Sequence, residues 1–282
     1  MRRSVSCPAL AAIALGAVIL TAPVQGSTIY NDIPGPLPPN VPSLGYQSNQ
    51  TAEFGDLIHF AGTDRSLTTV TLVMSDGALA SAFGSMSPTW NHPITLNLYN
   101  VDNSGLNPAP GTLIATQTHT FAIPWRPEAD PTCPGGTAWR AGDGKCYNGL
   151  AFEITFDFTG TIVPDQIIYG VAFNTTTWGA QPIGQPGPYE SLNFGLNSSA
   201  PPAVGTRPFP DTAYWNTQTA SNYADGGAGG VGIFRRDTAW TPFSGAASFD
   251  AVPEPTTYAT LGIGLLALIT LRRLTMRRRN NS

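Results

Sequence analysis

The sequence predicts an all-β protein: an antiparallel β-sandwich, jelly-roll or immunoglobulin-like, with loop insertions. An N-terminal signal helix and a C-terminal transmembrane helix frame it. Three observations predict the sandwich. Apolar and polar residues alternate with a period of two in several stretches, the pattern of a strand with one face in a core. Only 11% of the residues are charged, while the chain holds 30 glycines and 26 prolines, a composition suited to short strands joined by turns. Between the two terminal segments no long stretch repeats with the 3.6-residue period of a helix.

The elements follow in chain order. "MRRSVSCPALAAIALGAVILTAPVQGS" has a basic start at Arg2 and Arg3, an apolar core over residues 9–20, and a small-residue exit at Val24-Gln25-Gly26. This is the layout of a secretory signal peptide, residues 1–26, cleaved after Gly26 or, as an alternative, after Ala22. Cys7 precedes the apolar core, so it is not placed to carry a lipid after cleavage. The body, residues 27–250, has the length of one sandwich domain.

Within the body, "TVTLVM" sets Val70, Leu72 and Met74 on one face and Thr69, Thr71 and Val73 on the other. "ITLNLYN" does the same with Ile94, Leu96 and Leu98 against Thr95, Asn97 and Tyr99. "FEITFDF" turns Phe152, Ile154, Phe156 and Phe158 inward and Glu153, Thr155 and Asp157 outward. "QIIYGVAF", residues 166–173, is apolar on both faces and reads as a central strand. Weaker strands are expected over residues 56–61, 112–121, 190–196, 230–234 and 246–250. "VDNSGLNPAPG" and "TGTIVPD" carry turn chemistry. Residues 124–149 read as a strand-free insertion, and residues 198–230 as a long loop.

Charge excludes some partners. Seven of the 14 basic residues and 17 of the 18 acidic ones fall between the terminal segments, so the body carries about −10. An acidic body is a poor ligand for nucleic acid or anionic lipid. Two of the three cysteines, Cys133 and Cys146, lie in the body. So close in an exported chain, they are expected to pair. They lack the tight spacing of a redox pair and the further ligands of a zinc site. His59, His92 and His119 are far apart and read as satisfied structural histidines.

Glu153 and Asp157 share a strand face about 13 Å apart, too far for a glycosidase pair. "NVDNSG" and "DGGAGGVG" read as loops rather than calcium sites. No G-x-S-x-G elbow occurs. The residues therefore name no catalytic group, metal or cofactor, and a non-enzymatic protein is expected. Aromatic residues in loops offer a secondary reading: Trp125, Trp139 and Tyr147 of the insertion as stacking faces for a glycan.

The chain closes with "FDAVPEPTTYATLGIGLLALITLRRLTMRRRNNS". Val252-Pro253-Glu254-Pro255 leads into an uncharged apolar stretch, residues 256–271, about 24 Å long as a helix. That approaches the roughly 30 Å hydrocarbon core of a bilayer. Arg272, Arg273, Arg277, Arg278 and Arg279 follow, within the basic tail 272–282. They would hold that end in the cytoplasm.

A signal peptide, a body, a Val-Pro-Glu-Pro, a short apolar helix and an arginine cluster resemble the PEP-CTERM proteins. The resemblance implies that residues 251–282 are a sorting signal recognised by exosortase, a membrane enzyme of exopolysaccharide-producing Gram-negative bacteria. It implies processing near Pro253-Glu254-Pro255. The expected route is export across the inner membrane, a transient membrane-anchored precursor, then the cell surface or exopolysaccharide matrix, in a structural or adhesive role. A carbohydrate-binding or carbohydrate-active domain and a permanently anchored periplasmic protein are the alternatives.

Overall fold

The computed structural model describes residues 26–175, 179–198, 201–217 and 233–254, with Gly264 and Ile269. In chain order the strands are β1 (Ser27–Asn31), β2 (Ser43–Gly45), β3 (Thr51–His59), β4 (Ser66–Asp76), β5 (Thr89–Asp102), β6 (Ala109–Pro124), β7 (Trp139–Arg140) and β8 (Cys146–Tyr147). There follow β9 (Leu150–Asp157), β10 (Gln166–Ala172), β11 (Leu192–Asn197), β12 (Thr212–Thr217), β13 (Arg235–Thr238), β14 (Ser244–Gly245) and β15 (Ala247–Val252). One helical turn, α1 (Tyr46–Asn49), joins β2 to β3.

Two antiparallel sheets form a sandwich-like body. In the first, β1, β15 and β4 lie side by side, β9 pairs with the other edge of β4, and β11 continues beside β4 where β15 ends. β2 and β14 pair with β11. The second sheet runs β13-β12-β3-β10-β5-β6. Aromatic contacts join their inner faces: Tyr169 with Phe249 at 5.7 Å, Phe54 with Phe194 at 6.0 Å, and Phe121 with Phe156 at 5.0 Å between ring centroids.

The alternation read from the sequence sets the core. Ile154, Phe156 and Phe158 are buried with Ile94, Leu96 and Leu98, Phe152 packs against them half-buried, and Glu153, Thr155 and Asp157 are exposed. Thr71 and Thr155 meet across the outer face, Oγ1 to Oγ1 at 3.1 Å. β10 is central between β3 and β5, as its two-sided apolarity predicts.

Four expectations need correction. Val73, placed on the polar face, is fully buried, because Val41 and Ala246 cover the outside of the first sheet there. Residues 198–230 are not all loop: β12 lies within them, buried at every position. The insertion 124–149 is not strand-free, since β7 and β8 pair. The strand expected over residues 230–234 starts later, at Arg235, and residues 230–232 lie outside the described residues. The signal peptide up to residue 25 also lies outside them, as does "DGGAGGVG". Among the described residues no helix is long and apolar enough to cross a membrane. The span expected over residues 256–271 falls outside them except at Gly264 and Ile269, and so does the cluster from Arg272 to Arg279.

Candidate functional site

The C-terminal segment leaves the body from inside a sheet. β15 is bonded on both sides, to β1 through Ser27↔Ala251 and Asn31↔Ser248, and to β4 from Ala247↔Leu72 to Val252↔Ser66. Ala251 is fully buried. Asp250 anchors the strand end, its carboxylate accepting from Thr28 Oγ1 at 2.7 Å and Thr69 Oγ1 at 3.1 Å. Pairing stops at Val252, where Pro253 brings no N–H donor to continue a ladder. Val252, Pro253 and Glu254 are half-buried, and Pro255 lies outside the described residues. The body thus has almost no linker before the segment: only three residues, 253–255, separate the last paired residue from the apolar stretch. The chain's first strand runs beside its last, so both termini of the body meet at one edge.

The insertion holds together as expected in one respect and not in another. Cys133 and Cys146 form a disulfide with Cα atoms 5.8 Å apart. Arg140 reinforces it, donating from Nε to Asp130 Oδ2 at 3.0 Å. The stacking faces are different. Trp125 is only 8% exposed and packs on Phe83 and Trp90, with centroids at 5.1 and 5.7 Å. Trp139 is 9% exposed and donates its indole N–H to Gly149 O at 2.9 Å. Both rings are buried: Trp125 pins the insertion to the sandwich, and Trp139 ties the insertion to itself through Gly149 and Tyr147. Tyr147 is half-buried and donates to Asp143 Oδ2 at 2.7 Å.

Residues 251–278 match the family model of the PEP-CTERM protein-sorting motif. The chain carries this sorting signal. The PEP-CTERM motif marks the protein for export and for sorting by exosortase, and its first two residues are the last two of β15. The match covers the tail and leaves the body unassigned; no curated protein and no solved structure matches the chain.

Sequence reasoning missed two buried polar clusters in the body that carries this signal. In the first, Arg207 donates from Nε to Asp56 Oδ2 and from Nη2 to Thr212 O, the latter at 3.0 Å, with both side chains buried. Burial pushes the Asp56 carboxyl up to about 7 against the pull of the guanidinium. Beside it, burial also raises Asp32, whose Oδ1 accepts from Asn197 at 2.6 Å while Oδ2 lacks a partner. A hollow of about 490 Å³ lies outside this cluster, its rim largely of prolines: Pro201, Pro202, Pro210 and Pro242.

The second cluster lies under the loop that precedes β11. His92 Nδ1 is 3.9 Å from Glu190 Oε1, and both side chains are fully buried. His92 is not the satisfied histidine expected, because among the described residues neither ring nitrogen has a hydrogen-bond partner, while the Glu190 carboxyl faces the backbone of Ala180 and Gln181. Burial lowers His92 to about 4 and raises Glu190 to about 8, with nearby Asp76 adding to the rise. At neutral pH both are uncharged. Gly179 sits over Glu190 at φ +105°, where a Cβ would fall 1.6 Å from Oε2, so only glycine fits. Burial raises Asp76 to about 7; it accepts from Trp90 Nε1 at 3.3 Å.

Proposed function

We propose that this chain is a non-catalytic exported protein that exosortase processes and releases to the cell surface or exopolysaccharide matrix, where its body has a structural or adhesive role. The observation that carries the reading is the continuity of the sorting motif with an interior strand. A signal welded to β15 can be removed without unfolding the body only if the cut falls beyond Val252. The prolines at 253 and 255 suit that, because Pro253 adds no donor to the sheet and proline chemistry disfavours a helix before each of them. Among the described residues, the shifted carboxyls of Asp56, Asp76 and Glu190 are buried, which supports a body without chemistry of its own.

We further read the body as a jelly roll. Successive strands cross between sheets, and leaving out the added strands gives β1-β15-β4-β9 facing β3-β10-β5-β6. Such alternation supports the jelly-roll reading over the immunoglobulin order, which keeps A, B, E and D in one sheet.

Replacing Glu254 by Ala or Pro255 by Gly tests the sorting role. Export should continue, while a longer, membrane-bound precursor accumulates in fractionated cells. Normal maturation of both variants would reduce the motif to a stalk and favour a permanently anchored protein.

A further inference from the structure

A second hollow, of about 380 Å³, opens between α1, β11 and the loop before β11. Its lining includes Gln47, Ser48, Gln50, Tyr189, Ser191 and Asn193, and among the described residues no Asp, Glu, Lys or Arg. The walls are fixed. Tyr46 of α1 stacks on Phe173 with ring centroids 3.8 Å apart and donates its hydroxyl to Val171 O. Gln47, 4% exposed, donates from Nε2 to Gln181 O at 2.6 Å, tying helix to loop, and its Oε1 accepts nothing.

Among the described residues only three other than glycine have a positive φ, and two of them line this hollow: Gln50 at 52° and Ser191 at 53°. Strain of this kind gathers where a surface is held in one shape. On the rim the Tyr189 ring is 51% exposed, unlike the buried tryptophans of the insertion.

We propose that this cleft binds a neutral polysaccharide chain, with Tyr189 stacked on one sugar ring and Gln50 and Asn193 exchanging hydrogen bonds with its hydroxyls. Amides and hydroxyls supply both donors and acceptors, as vicinal hydroxyls require. A flat ring at the wall meets the apolar C–H face of a sugar. A lining without charge gives an ionic ligand no counter-ion, and a body near −10 repels anionic polymers. The volume is that of a small-ligand site, and its open side lets a longer chain run through. This inference goes beyond sorting and does not depend on it.

The test is affinity electrophoresis of the full chain in detergent, in gels containing dextran, xylan, galactomannan or mixed-linkage glucan, with alginate as the anionic comparison. At least one neutral polymer retards the protein and alginate does not. Tyr189→Ala weakens that retardation about fivefold or more, the size of a lost aromatic anchor, while Tyr189→Phe retains it. Asn193→Ala also weakens it, and Tyr147→Ala, outside the cleft's lining, leaves it unchanged. Mobility unaffected by every neutral polymer, retardation by alginate instead, or equal retardation of Tyr189→Ala would each overturn the proposal.

Discussion

Arg207 and Asp56 are the body's most consequential pair of residues. An ion pair this deep contributes little over an apolar pair, but removing one partner strands the other charge in the core. Arg207→Ala should therefore lower stability by about 3–5 kcal/mol, readable in urea unfolding. Asp56→Asn with Arg207 intact should also destabilise, since the guanidinium then loses its counter-ion.

The buried acids give the protein a pH dependence. Glu190, raised to about 8 from the usual 4.5, contributes stability that is full below 4.5 and is lost as pH rises through 8. His92, lowered to about 4 from 6.5, contributes stability that is full above 6.5 and is lost as pH falls through 4. The two slopes oppose each other between 4.5 and 6.5, and above 6.5 the carboxyl acts against an already neutral histidine. Tm should fall between pH 6.5 and 8, and Glu190→Gln should flatten part of that fall. An unchanged slope in Glu190→Gln would place the dependence on Asp76 instead. Neither cluster was legible in the sequence. Arg207 and Asp56 are 151 residues apart, and an isolated His or Glu in a strand carries no mark of the partner the fold gives it.

At the scale of elements, strands with one wet face were legible and the others were not. β5 and β9 show a clean period of two because their outer residues meet solvent or half-exposed neighbours. β12, "TAYWNT", is buried throughout and places Thr and Asn inside, so it has no alternation to read. β1 follows the expected signal peptide directly and is short. The insertion was legible through its cysteines, but the burial of Trp125 was not, because it depends on Phe83 and Trp90, which arrive from elsewhere. Replacing Cys133 and Cys146 by Ser should free the insertion and spare the sandwich. The loop-entropy contribution is about 3 kcal/mol, an upper bound of about 6–12 °C in Tm for a chain this size. Loss of the far-UV spectrum in that variant would show that the core depends on the insertion after all. β15 has the opposite standing. Truncation after Val252 should yield a folded, soluble protein, whereas truncation after Ala246 removes the strand between β1 and β4 and should yield aggregate.

In the whole molecule, address and architecture are joined at one place. The PEP-CTERM motif begins within the sheet, β1 starts beside it, and three positions separate the last paired residue from the apolar stretch. In the proposed processing, the body folds beside the membrane and parts from it just past the end of β15. The most direct test is the intact mass of the exported protein, which fixes its C-terminus. Processing predicts a chain that keeps Val252, ends close beyond it and lacks the segment from Arg272 to Arg279. A mature surface protein that still carries those arginines, or one that ends within β15, would contradict it.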